Sequence, residues 1–172
     1  WADALTWMRT RNVSVVFNER NPLDRLISSY TYKNHTHMKP HCKRDQFDCV
    51  QKHLHTQVRL PIGTQLMAKL RDITTRTTRA SAMLTKYGLR HIDVNYDALL
   101  MSSDGRRSQA WRRLIQFLQP GRDVELVTST HISEALNVTA KTSTVHQGHR
   151  VVNMHEVEST LNGTEFARFL HP

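Results

Sequence analysis

Residues able to grip an anion gather in one stretch, Val15-Val16-Phe17-Asn18-Glu19-Arg20-Asn21-Pro22-Leu23-Asp24-Arg25-Leu26-Ile27-Ser28-Ser29-Tyr30. Arg20 follows a compact β-branched run. Arg25 and Ser28 follow Pro22 at spacings that put them in the first two turns of a helix. An Arg side chain offers a planar, bidentate fork to phosphate oxygens, and a Ser adds a compact hydroxyl. The free N–H groups and positive dipole end of a helix start favour the same charge. In open parallel sheets, ligands collect outside the carboxyl ends of the strands. The junction is therefore read as an anion site. A capped surface helix with exposed arginines would have the same spacing, and spacing alone does not separate the two.

The elements that must position these residues follow from periodicity. Residues 2–10 suit a short helix with Leu5 and Met8 on one face. Residues 13–17 are long enough for one buried strand, and Leu23, Leu26, Ile27 and Tyr30 carry the next helix from Pro22 to about residue 32. A polar, His-rich loop is expected over 33–48, then a helix containing Cys49, Val50 and Leu54 before Pro61-Ile62-Gly63 breaks the chain. Residues 65–87 read as a long helix whose Thr-rich middle, 74–78, favours a kink or break, and Gly88 suits its end. Residues 89–96 alternate as a second strand, and 97–101 turn away from it. Residues 107–118 form an amphipathic helix with Trp111, Leu114, Ile115 and Leu118 inward, ended by Pro120-Gly121. Short helices are expected at 153–161 and 164–170. Strands each followed by helices imply an α/β domain with a mainly parallel sheet.

The pattern Arg-Asn-Pro-x-x-Arg-x-x-Ser-x-Tyr, met here by Arg20, Asn21, Pro22, Arg25, Ser28 and Tyr30, resembles the 3′-phosphate-binding motif of the PAPS-dependent sulfotransferases, especially the Golgi carbohydrate enzymes. The resemblance implies that Arg20 and Ser28 hold the 3′-phosphate of the nucleotide. Arg25 would support the site or pair with nearby carboxylates, and Tyr30 would pack in the core. Ile92-Asp93-Val94-Asn95-Tyr96-Asp97-Ala98-Leu99-Leu100, followed by Phe117-Leu118, is similar to the family's strand ending in Tyr-acid-x-Leu and its next helix. It implies Tyr96 as a contact to the adenine, where a half-buried strand-end Tyr is the plainer reading. Lys141-Thr142-Ser143-Thr144, Arg150-Val151-Val152-Asn153, Glu156-Val157 and Leu161-x-Gly163-Thr164 resemble the closing loop and last helices of some members, from which Lys141 would reach the nucleotide. The fold so implied is a partial P-loop-like three-layer domain with a mainly parallel central sheet flanked by helices. The resemblance also implies PAPS or PAP as the cofactor, with no metal expected, and a hydroxyl acceptor, by default on a glycan.

The family's Gly-rich loop for the 5′-phosphosulfate has no counterpart. The six glycines, Gly63, Gly88, Gly105, Gly121, Gly148 and Gly163, are isolated, and no G-x-x-x-x-G-K-[ST]-like stretch occurs. Pro61-Ile62-Gly63-Thr64 follows the Arg20 motif instead of preceding it and is rejected as that loop. Sulfuryl transfer, like phosphoryl transfer, depends on in-line positioning and on cations that neutralise the transferred group. Those residues lie mostly in the missing loop, and the general base lies outside the matched motifs, so no catalytic residue is named. The chain opens on Trp1 rather than Met. Two expectations follow: the first half of the fold comes from an upstream segment or a separate chain, or the chain is a non-catalytic sulfotransferase-like subunit of a larger assembly.

The bulk numbers agree with a folded, anion-seeking protein. The 172 residues are 38% hydrophobic and 23% charged, with a formal charge of +9. That size accommodates one domain with a real core, and no repeat or linker divides 1–172. The basic excess favours a nucleotide or a sulfated or carboxylated polymer. With only 7% aromatic residues and no recognised module, nucleic acid is not the expected partner. No apolar run is long enough to span a membrane. Four of the eight asparagines, Asn12, Asn34, Asn137 and Asn162, stand in N-x-[ST] sequons, where about one would arise by chance. Cys42 and Cys49, the only cysteines, suit a short-loop disulfide in an oxidising compartment. Their histidine neighbours His35, His37, His41, His53 and His55 make zinc a competing reading, but the spacing is no tight knuckle and the disulfide is preferred. A secretory or Golgi-lumen protein is expected.

Overall fold

The computed structural model describes residues 2–33, 48, 56–100, 104–121 and 147–170. The described part is mainly helical, with a two-stranded parallel sheet flanked by helices. The elements in order are α1 (Ala2–Thr10), β1 (Val15–Glu19), α2 (Pro22–Lys33), α3 (Gly63–Lys86), β2 (His91–Asn95), α4 (Tyr96–Leu100), α5 (Asp104–Leu118), a 3-10 turn (Gln147–Arg150), α6 (Met154–Leu161) and a second 3-10 turn (Ala167–Phe169). Two compact units divide the chain: Trp1–Arg20 with Thr75–Glu134, and Asn21–Thr74 with Ala135–Pro172. No helix among the described residues is long and apolar enough to cross a membrane.

The first unit holds the sheet. Strands β1 and β2 pair in parallel, with Val15 opposite His91 and Glu19 opposite Asn95. Alternation of side chains across the strands puts Val15 and Phe17 on the face that packs with Leu5 of α1, Leu84 of α3 and Leu89. Ile92 and Val94 turn to the other face, against Leu99 of α4 and Leu114 of α5. Both strands begin in the same way. α3 ends at Gly88, φ +62, where the Leu89 N–H donates to the Leu84 carbonyl and the Gly88 N–H to that of Thr85. α1 ends at Asn12, φ +52, with the equivalent bonds from Val13 to Met8 and from Asn12 to Arg9. These are Schellman caps, which need a residue that tolerates the left-handed region, Gly or Asn. Arg90 then ties the segment leading into β2 to that leading into β1. Its guanidinium donates to Ser14 Oγ at 2.9 Å and to the Phe117 carbonyl, and lies 4.4 Å from the Phe117 ring centre.

The second unit is built on α2, the first half of α3 and α6. Leu23, Leu26 and Ile27 of α2 pack with Leu66 and Leu70 of α3, Val157 and Leu161 of α6, and Phe166. Leu66, Leu70, Val157 and Leu161 are fully buried, each contributing about 1.5–3 kcal/mol of transfer free energy. An extended stretch crosses this core: Val58 bridges Val151 in parallel. Asn153, 4% exposed, clamps Leu60, its Oδ1 accepting from the Leu60 N–H at 3.1 Å and its Nδ2 donating to the Leu60 carbonyl at 3.0 Å. Asn153 immediately precedes α6 but makes no side-chain cap there, because the side chain is committed to Leu60.

Several expectations are corrected. The first strand starts at Val15 rather than residue 13, because Val13 and Ser14 belong to the cap of α1 and the step into the sheet, and Val16 stays 39% exposed rather than buried. The Thr-rich middle of α3 neither breaks nor ends the helix. There Thr74 Oγ1 donates to the Leu70 carbonyl one turn back, satisfying its hydroxyl inside the helix. Residues after Asn95 form the helix α4 instead of a turn, and Tyr96 opens that helix rather than ending a strand. Leu118 is 50% exposed, and Phe117 takes the inward place. Past α6 only a 3-10 turn forms, where a helix over 164–170 was expected.

Candidate nucleotide site

The carboxyl edge of the sheet is set by register. With Glu19 opposite Asn95, the next residues, Arg20 and Tyr96, fall at the same edge. The Arg20 guanidinium carbon stands 4.9 Å from the centre of the Tyr96 ring, and both side chains are half-buried. Such a contact is electrostatic, uses the π face of the ring and consumes no hydrogen-bond donor of the guanidinium. It holds a cation at the edge where ligands of parallel sheets gather.

Asn21 and Pro22 turn the chain into α2. Asn21 Oδ1 accepts from the Leu23 N–H at 2.8 Å and the Asp24 N–H at 3.5 Å, an N-cap with Pro at the first helical position. Its Nδ2 donates to the Phe169 carbonyl at 2.9 Å. The motif's Asn and Pro are thus explained by helix initiation and anchoring. Within α2, Ser28 is half-buried and Arg25 exposed, while Asp24 is buried. Tyr30 packs against the core of the second unit, and Lys69 Nζ lies 5.8 Å from its ring centre, as expected for a packing residue.

The structure therefore brings Arg20 and Tyr96 together. It places Arg25 and Ser28 on α2, within the second unit. Lys141, Cys42, Cys49, Asn34, Asn137 and the histidines of 35–55 lie outside the described residues; Asn12 and Asn162 are described and exposed. Among the described residues, no three His, Cys, Asp or Glu side chains converge as a metal site would require.

Sequence reasoning quoted Asn95 and Asn21 within its motifs but missed the capping role of each. Asn95 Oδ1 accepts from the Asp97 and Ala98 N–H groups at 2.8 and 3.0 Å, starting α4 and so presenting Tyr96. The signal was there, an Asn followed by Asp two residues on, but the strand pattern overrode it. Asn21 is the matching cap on α2. The first unit also contains an open apolar cavity of about 410 Å³, lined by Leu5, Val15, Phe17, Ala80, Met83 and Leu84 with Arg76 and Arg79. Its walls are too apolar for a nucleotide bisphosphate, and it is distinct from the Arg20 edge. No protein-family model matches the chain, and no curated protein or solved structure matches it.

Proposed function

We propose that the chain binds the 3′-phosphoadenosine nucleotide of PAPS and belongs to a sulfotransferase-like domain of the secretory pathway, with a glycan hydroxyl as acceptor. The motif resemblance implies a 3′-phosphate contact for Arg20 and one for Ser28, with Arg25 in support. The observation that carries the reading is Arg20, the first residue of the Arg-Asn-Pro motif, resting on Tyr96 at the carboxyl edge of a parallel strand pair. That edge is where a partial three-layer α/β domain would bind a nucleotide. On this reading Tyr96 acts first by holding Arg20, and the adenine would meet the tyrosine only beyond that contact.

The chemistry asked of these residues is binding and orientation. A 3′-phosphate gripped by an Arg fork and a Ser hydroxyl fixes the nucleotide, so that the 5′-phosphosulfate points at whatever cradles it. No residue of this chain is assigned to the transfer step. A second reading, a non-catalytic sulfotransferase-like subunit, is favoured by the six isolated glycines, which leave this sequence without a phosphate-cradling loop.

Calorimetric titration of adenosine 3′,5′-bisphosphate into the chain tests the site, beside Arg20→Ala and Ser28→Ala. The expected result is measurable affinity that Arg20→Ala largely removes, since a charge-assisted contact contributes about 1.5–3 kcal/mol. A folded wild-type chain with no binding would overturn the nucleotide reading and leave the structural-subunit reading in place.

A further inference from the structure

Asn12 and Asn162 both stand just past a helix end and both are exposed. Asn12 is the left-handed cap residue of α1, φ +52. Asn162 closes α6 at φ −58, ψ 134, its own N–H donating to the Glu158 carbonyl. In each the backbone is committed to the cap, while among the described residues the side-chain amide makes no hydrogen bond and faces solvent. Each begins a sequon, Asn12-Val13-Ser14 and Asn162-Gly163-Thr164.

We infer that Asn12 and Asn162 carry N-linked glycans, an inference that rests on the secretory-pathway reading and is independent of nucleotide binding. In the reaction the Asn side-chain nitrogen forms a bond to the anomeric carbon of an oligosaccharide. The sugar–oxygen bond of a lipid-pyrophosphate-linked donor breaks, the amide loses one proton, and the lipid pyrophosphate leaves with the bridging oxygen. The sequon hydroxyls are engaged once the chain has folded. Ser14 Oγ accepts from Arg90 at 2.9 Å, and Thr164 Oγ1 donates to the Leu161 carbonyl at 2.6 Å and accepts from the Phe166 N–H at 3.2 Å. Transfer therefore fits the nascent chain, and the fold then keeps both glycans on its surface. Asn12 lies at the amino edge of β1, and a five-residue strand of about 17 Å separates that edge from Arg20. A glycan there leaves the candidate nucleotide edge clear.

The geometry also selects the variants. Asn12→Gly removes the acceptor and keeps the left-handed cap, whereas a Ser14 change would also cut the Arg90 contact. Asn162 has ordinary extended angles, so Asn162→Gln is conservative. The full chain is produced behind a cleavable secretion signal in a glycosylating eukaryotic cell, and separately by cell-free translation with microsomes, and its peptides are mapped by mass spectrometry. The expected result is glycan on the Asn12 and Asn162 peptides in most of the recovered chain, with one glycan lost in each single variant and an unchanged melting temperature after enzymatic deglycosylation. Bare Asn12 and Asn162 in both systems would overturn the inference. Glycans on Asn34 or Asn137 beside bare Asn12 and Asn162 would overturn it too, while showing that the chain had reached the lumen.

Discussion

If Tyr96 serves the nucleotide site by holding Arg20, then removing its ring should weaken nucleotide binding through Arg20. The perturbation is Tyr96→Leu, which keeps an apolar side chain and deletes the π face under the guanidinium. At 4.9 Å from the ring centre, with both partners half-buried, the contact falls between exposed pairs of about 0.5–1 kcal/mol and desolvated ones of about 2 kcal/mol. A central value of about 1 kcal/mol corresponds to about a fivefold weaker Kd for adenosine 3′,5′-bisphosphate. The assay is a double-mutant cycle by calorimetry with wild type, Arg20→Ala, Tyr96→Leu and the double variant. Tyr96→Leu should weaken binding about fivefold in the wild-type background and leave the Arg20→Ala value almost unchanged. Urea denaturation of the same four chains should return a coupling of about 1 kcal/mol between the two residues, whether or not the nucleotide is present. An equal loss in both backgrounds would refute the reasoning and make Tyr96 an independent contact to the base, whose stacking is worth about 1–3 kcal/mol by itself. Zero coupling in stability would refute the contact itself.

Two further predictions concern the frame of the site. Asn153→Ala should destabilise the chain by about 3 kcal/mol, because it leaves the N–H and carbonyl of Leu60 unsatisfied at a position only 3% exposed; a urea midpoint shift worth less than about 1 kcal/mol would contradict the clamp. Gly88→Ala meets open space around the added methyl, so its whole cost is the left-handed backbone at φ +62, about 1 kcal/mol. Gly88→Asn should cost less than Gly88→Ala in the same denaturation series, and the reverse order would show that the cap is not what limits this position.

How far the fold could be read in advance depends on whether the deciding interaction is local. Pro22 and the Leu23, Leu26, Ile27 spacing placed α2 to within a residue, and Gly88 placed the end of α3, because caps and helical stripes are written over a few neighbouring residues. Thr74 to Thr78 misled, since intrinsic propensities of a few tenths of a kcal/mol per residue are outweighed when the turns on either side, at Leu70 and Leu84, are each anchored in a core. Leu118 and Phe117 exchanged roles for a tertiary reason: the guanidinium of Arg90, 27 residues earlier, packs on the Phe117 ring and bonds its carbonyl. Arg20 and Tyr96 were each picked out singly, by motif, for separate roles. Their meeting was not legible, because it depends on the pairing of two strands with a 76-residue offset between partners.

That meeting has a physical cause in the way the two strands stop. β1 and β2 begin alike, each shortly after a left-handed cap residue, Asn12 or Gly88, and they run in step for five residues. They then leave the sheet differently. Asn95 is both the last residue of β2 and the cap of α4, so Tyr96 is already in the first turn of a helix. On β1 the capping Asn comes two residues later, at Asn21, which leaves Arg20 between the strand and its helix. The two-residue difference in cap position leaves Arg20 outside any helix beside a Tyr that opens one, and the guanidinium lies over the ring. Moving the cap by one residue on either strand would change which side chain occupies that place. The Asn and Pro of the Arg-Asn-Pro run thus have a local task of their own, which is to fix where α2 starts.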